Sequence, residues 1–230
     1  MTAPDQNPSA PEKSILLYRF LDASAALKTI ESRKLKVGRI LEFNDPFEWR
    51  PGITNTIPAG QMVVESVMDR FVSDMNSKIG IICMSSSAKE PVLWSHYADN
   101  HHGVALEFDY LTEKGDLSEV RYSDKRPIID ANRLHDETHL RETLKPMIDQ
   151  KSTGWSYEKE YRVHVNLQDC DIANGLYFKA IPDGFLTRVI LGYRCPLEAS
   201  YLRKALDAVG LTDTEVIRAK MDQLSYSVII

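Results

Sequence analysis

Residues 155–165 read Trp155-Ser156-Tyr157-Glu158-Lys159-Glu160-Tyr161-Arg162-Val163-His164-Val165. Side chains of an extended chain alternate between two faces, so the stretch predicts a strand over residues 157–167. Tyr157, Lys159, Tyr161, Val163 and Val165 fall on one side, apolar apart from Lys159; Glu158, Glu160, Arg162 and His164 fall on the other. Two carboxylates so spaced on a strand stand roughly 6–7 Å apart, a separation that lets them take different roles toward two oxygen-bearing substrates. The structural alternative is a solvated strand face on which Arg162 pairs with Glu160.

Downstream of this stretch the pattern stays β-rich. Strands are expected over 176–181, 186–191, 215–221 and 224–230, with a helix over 197–209. Upstream, residues 15–20 (ILLYRF) form a short apolar strand, and Asp22 is placed to cap a helix that runs to Arg33. A short strand over 35–40 leads to Phe43-Asn44-Asp45-Pro46-Phe47-Glu48-Trp49, a loop by its Asn-Asp-Pro chemistry and unusually aromatic for one. Residues 61–77 carry helical apolar spacing. Residues 80–85 read as a buried strand entering a serine turn, 92–98 as a short helix and 103–108 as a strand; the polar stretch 124–150 is helical in its second half. Strands and helices do not alternate regularly, which argues against a doubly wound parallel sheet. Without an internal repeat or a linker, the expectation is a single α+β domain over 14–230. Pro4, Pro8 and Pro11 among small polar residues mark 1–13 as a disordered lead-in.

The composition excludes several classes. The chain has 230 residues, 43% hydrophobic and 27% charged, with 28 Lys and Arg against 33 Asp and Glu and a net charge of −5. That balance argues against coating nucleic acid or anionic membrane, though not against a local basic pocket. No apolar run approaches the roughly 20 residues of a membrane helix, and the N-terminus has no apolar signal core. Cys83, Cys170 and Cys195 are too few and too scattered for a disulfide framework or a zinc ribbon, so a cytoplasmic setting is expected.

Other residues carry chemistry or packing. Arg19 shares a strand face with Ile15 and Leu17, where an unpaired guanidinium is costly, so it either pairs with a carboxylate or grips a phosphate. The hydroxyls of Ser85, Ser86 and Ser87 either orient a neighbour or make a turn. His135 and His139, read on one helix, have the spacing of a shared zinc site, but Asp136 stands where that pattern needs Glu and no third ligand is evident. His96, His101 and His102 are similarly incomplete as a metal site. No Gly-rich phosphate loop is present.

Taken in order, Arg19, the Ser85 region and Glu158-Lys159-Glu160 resemble the R–S–ExE arrangement of arginine-type ADP-ribosyltransferases, although the Ser-Thr-Ser of that family is absent. The resemblance implies a split mixed or antiparallel β core, helices packed on it, and NAD⁺ bound as substrate in a cleft between sheets. Arg19 would contact the phosphates, and Ser85 or Ser86 the carboxylate or the nicotinamide ribose. Glu160 would stabilise the oxocarbenium-like transition state and Glu158 would activate the acceptor, with Arg162 beside them.

A second resemblance covers more of the chain. LYRF (17–20), FNDPFE (43–48), Cys83 to Ser85, LWSHYA (93–98) with His102-Gly103-Val104, and WSYEKEYR (155–162) are similar to the bacterial domain of unknown function 2971 (DUF2971) family, over about residues 14–192. That family carries no established activity. It directs attention to Asn44, Asp45, Phe47, Glu48, Trp94, His96 and Tyr97, whose rings and polar groups either sandwich a flat base or nicotinamide or plug the core. His96 is either a general base or a structural hydrogen-bonding residue.

The expected activity is therefore NAD⁺-dependent ADP-ribosyl transfer or NAD⁺ glycohydrolysis, in a bacterial toxin or defence role. The expected ligand is a small nucleotide, with a protein or nucleic-acid acceptor and no metal. The alternatives are a nuclease holding Mg²⁺ on Asp45, Glu158 and Glu160 with Arg162 or Lys159 near the scissile phosphate, and a non-catalytic ligand- or protein-binding module. What separates the first two is whether Arg19 faces Glu158 and Glu160 across one cleft.

Overall fold

The computed structural model describes residues 13–55, 58–112 and 115–230, so all of the expected lead-in but Lys13 lies outside the described residues. In chain order the elements are β1 (Ser14–Leu21), α1 (Ala23–Ser32), β2 (Lys34–Arg39), β3 (Gly52–Thr54), α2 (Pro58–Lys78), β4 (Ile79–Ser85), α3 (Pro91–Tyr97) and β5 (Val104–Leu111). There follow β6 (Leu117–Glu119), β7 (Arg121–Tyr122), β8 (Ile128–Asp130), α4 (Glu137–Ile148), β9 (Gln150–Lys151) and β10 (Glu160–Asn166). The last are β11 (Asp171–Ala173), β12 (Leu176–Ala180), β13 (Leu186–Leu191), α5 (Ala199–Ala208), β14 (Glu215–Arg218), β15 (Lys220–Met221) and β16 (Val228–Ile229).

Local chemistry accounts for the boundaries. Asp22 caps α1 by accepting the Ala25 N–H at 2.8 Å, and Arg33 closes the helix in the left-handed region at φ 53°. Asp136 caps α4 by accepting from the His139 N–H, so His135 lies before the helix. His139 then turns its Nε2 to the Asp130 N–H at 3.1 Å. The two histidines do not share a helix face, which corrects the zinc-like reading of that segment.

The main sheet has ten strands in the order β11-β12-β2-β4-β1-β5-β13-β14, with β10 added beside β4 and β6 beside β10. Its pairs are antiparallel except β13 with β14, giving an α+β domain with a mixed, mostly antiparallel sheet that does not close into a barrel. Apolar side chains fill three clusters. One packs β1, β5, β10 and β13 against α1 and α5; a second lies under α3 around Trp94 and Phe20; a third lies under α2 and α4 around Trp49, Val64 and Ile81. None of the described helices is long and apolar enough to cross a membrane, and the three cysteines are free.

One irregularity positions the site. Strand β10 pairs with β4 from Glu160↔Ser85 to Asn166↔Ile79, covering one edge of β4 completely. On the opposite edge β2 pairs at Gly80 and Ile81, and β1 pairs only at Tyr18↔Ser85. Gly80 permits the first approach, because a Cβ there would stand 2.2 Å from Val37 Cγ1. Between these pairs, Ile82 to Met84 have no strand partner on that edge among the described residues. The sheet splits there, and the Cys83 carbonyl is met by the Arg19 guanidinium instead of a backbone amide.

The strand expected over 157–167 is shorter than the alternation suggests. Residues Thr153–Glu158 form a 3-10 helix, Lys159 follows in the left-handed region at φ 45°, and extension begins at Glu160. The N–H of Gly154 caps onto Ser152 Oγ, and the Lys159 N–H closes onto the Ser156 carbonyl, so local turn hydrogen bonds override the alternation.

Candidate functional site

A cavity of about 330 Å³ opens in the split of the sheet. Strand β1 supplies Arg19 with Tyr18 and Phe20, β4 supplies Cys83 and Ser85, and β10 supplies Glu160 and Arg162. The loop after β2 brings in Phe43, Asn44 and Glu48, while α3 contributes Leu93 and Tyr97, four residues apart and so on one helix face. Lys151 and Glu158 complete its floor.

Glu158 and Glu160 reach this floor from different elements. With Lys159 left-handed between them, both carboxylates turn inward, and the Lys159 side chain leaves toward Glu90 at 2.6 Å. Arg162 donates Nε to Glu160 Oε1 at 2.9 Å, Nη1 to the Ile148 carbonyl at 2.7 Å, and Nη2 to Glu48 Oε2 and, at 3.2 Å, to Glu160 Oε2. Lys151 Nζ lies 2.6 Å from Glu158 Oε2, 3.3 Å from Glu48 Oε1 and 3.4 Å from Glu160 Oε2. Tyr97 donates its hydroxyl to Glu158 Oε1 and receives the Asn44 side-chain amide at 3.1 Å. Aromatic rings cover both cations, Trp155 over Lys151 at 4.7 Å and Phe43 over Arg162 at 5.2 Å.

The floor thus holds three carboxylates and two cations, and no side chain among them is more than 6% exposed. Burial pushes Glu160 up, but Arg162, Lys151 and the Cys83 thiol together hold its carboxyl below the ordinary glutamate range. For Glu48 burial prevails over Arg162 and Lys151, and its carboxyl is raised. Burial opposes the charge of Lys151, yet the carboxylates of Glu160, Glu48 and Glu158 keep its ammonium protonated. Burial, followed by the Glu160 carboxylate, pushes the Cys83 thiol up and disfavours its thiolate. With all five groups charged the floor would be net negative by one.

Arg19, in the same cavity, is half-buried and donates to the Cys83 carbonyl alone among the described contacts. A guanidinium has five donors, so most of its capacity faces the cavity. Lys36 and Glu42 also line the cavity, as an exposed pair 3.7 Å apart. Ser85 is buried, its hydroxyl accepting the Ser87 N–H and donating to the Ser87 carbonyl.

Of the residues singled out from sequence, the cavity collects Arg19, Asn44, Glu48, Ser85, Tyr97, Glu158, Glu160 and Arg162. Others lie elsewhere. Ser86 bonds the Lys159 carbonyl at 3.3 Å, and His96 is exposed, with Nδ1 3.0 Å from the Tyr157 hydroxyl. Trp94 is fully buried and donates its indole N–H to the Ala88 carbonyl, a core role. Phe47 is 60% exposed under the Arg126 guanidinium. Asp45 is buried, accepts the Phe47 N–H, and lines a neighbouring cavity of about 220 Å³, so the structure does not join it to Glu158 and Glu160 as the nuclease reading requires. No group of three or more His, Cys, Asp or Glu among the described residues is arranged to hold a metal ion.

Sequence reasoning missed Lys151 altogether. It sits in a polar run that reads as solvated, and only the fold carries it under Trp155. Trp49 has a signal of another kind. Its backbone lies at φ 59°, a strained position for a bulky residue, yet its ring is buried in the third cluster. That anchor holds the adjoining Glu48 inward.

Residues 93–163 match the family model described as "Protein of unknown function (DUF2971)". The matched segment bears out the family resemblance and contains Tyr97, Lys151, Glu158, Glu160 and Arg162, leaving Arg19, Glu48 and Ser85 outside it. No curated protein and no solved structure matches the chain.

Proposed function

We propose that this cavity binds NAD⁺ as a substrate and that the protein cleaves its nicotinamide–ribose bond, passing the ADP-ribosyl group to an acceptor. The observation that carries the reading is unlike charge gathered in one cavity: Arg19, with spare donors, lines it together with the buried carboxylates of Glu158, Glu160 and Glu48. NAD⁺ carries a complement to each, anionic phosphates for the guanidinium and a cationic pyridinium ribose for the carboxylates. The cavity volume lies at the lower end of the range of about 300–1000 Å³ for ligand sites. It suits the nicotinamide ribose end, with the remainder of the dinucleotide across the mouth.

In this reading Arg19 holds the phosphates through charge-assisted hydrogen bonds. Tyr18, Phe20, Phe43 and Tyr97 wall a flat ring. As the carbon–nitrogen bond breaks, nicotinamide leaves with the electron pair and positive charge builds on the ribose. Glu160, fixed by Arg162 and Lys151, sits ready to meet that charge without reorganising. Glu158, which shares Lys151 with Glu160, takes the acceptor's proton.

The test is incubation with NAD⁺ while following nicotinamide release. Wild type should release it, and Glu160→Gln, which keeps the shape and loses the charge, should be slower by about 10²–10³-fold. Release by neither protein, with no NAD⁺-dependent rise in melting temperature, would overturn the proposal.

A further inference from the structure

We infer, resting on the reading above, that the acceptor at this site is water, so that the activity is hydrolysis of NAD⁺ rather than modification of a macromolecule. The reason is access. The Glu158 and Glu160 side chains are only 6% and 5% exposed, at the floor of the same cavity that the nicotinamide ribose would fill. Both oxygens of Glu158 are already held, one by the Tyr97 hydroxyl and one by Lys151, and the Trp155 ring closes over that ammonium. The neighbouring cavity also reaches Glu48 and Lys151 but is lined by neither Glu158 nor Glu160. A lysine, arginine or nucleotide of a macromolecular acceptor would have to share the donor's own cavity to reach Glu158. Water is the smallest acceptor and needs only about two to four polar partners, so it is the acceptor this enclosure excludes least.

The step balances. The bond from the ribose anomeric carbon to the pyridine nitrogen breaks, and nicotinamide keeps both electrons. The water oxygen bonds to that carbon, and its proton passes to Glu158 and then to solvent. NAD⁺ and water give ADP-ribose, nicotinamide and one proton.

The experiment uses the full chain with NAD⁺ labelled in its ADP-ribose half, in water enriched in oxygen-18, with a mixture of proteins and nucleic acids present. Equal amounts of nicotinamide and free ADP-ribose, one heavy oxygen in each ADP-ribose, and no label on macromolecules are the expected result. Methanol should divert part of the product to methyl-ADP-ribose, while a bulky amine should divert none. Nicotinamide release accompanied by label on protein or nucleic acid would overturn this inference and leave the NAD⁺ reading standing. No nicotinamide release at all would overturn both.

Discussion

Two arginines line the cavity, and they are built in opposite ways. Arg162 is 1% exposed and spends its donors on Glu160, Glu48 and the Ile148 carbonyl. Arg19 is half-buried and meets one carbonyl, in a gap where the sheet provides no backbone donor. The first is part of a preorganised set of charges; the second has capacity left for a ligand. A buried ion network of this kind is a poor stability device, since apolar residues of similar volume often do as well or better. Its presence at the base of a cavity, next to a guanidinium with free donors, is what points to chemistry.

The comparison breaks most visibly in stability. Arg162→Met leaves Glu48 and Glu160 buried beside a single remaining cation, and should cost about 3–5 kcal/mol in denaturant unfolding. Arg19→Met removes one charge-assisted hydrogen bond to a carbonyl and should cost no more than about 1.5–3 kcal/mol. Equal losses would mean that the two arginines do the same structural work, and the distinction between them would fall.

A smaller effect separates the carboxylates within the floor. Glu160 is held below the ordinary value of 4.5, so its contribution to stability is present above that value and is lost as pH falls through its lowered folded-state value. Glu48 is raised above 4.5, so its contribution is fullest below that value and declines as pH rises through its folded-state value. Relative to wild type, Glu48→Gln should therefore gain in melting temperature as pH rises from 4.5. Parallel curves for the two proteins would show that Glu48 is an ordinary ionised carboxylate.

Much of this architecture was legible in local sequence. Asp22 capped its helix as its type and position required, and the apolar runs at 15–20, 80–85 and 186–191 became central strands. Arg19 and the Glu158-Lys159-Glu160 triplet announced themselves because charge on an apolar strand demands a partner. What stayed hidden was set by contacts distant in sequence or by backbone choices without a side-chain signature. Lys159 adopts a left-handed conformation that Gly or Asn would have advertised. Lys151 is buried only because β9 lies against β7 under Trp155. Trp94, read as one side of a ligand sandwich or a core plug, is a plug, its one polar atom satisfied by the Ala88 carbonyl.

In the proposed function the donors left free on Arg19 serve the phosphates of NAD⁺. Calorimetric titration of NAD⁺ into wild type and Arg19→Met tests it most directly. Binding to wild type that weakens by about tenfold or more in Arg19→Met is the predicted result, a loss of one charge-assisted contact. The claim is contradicted if NAD⁺ gives no binding heat with wild type, or if the two proteins bind it equally well.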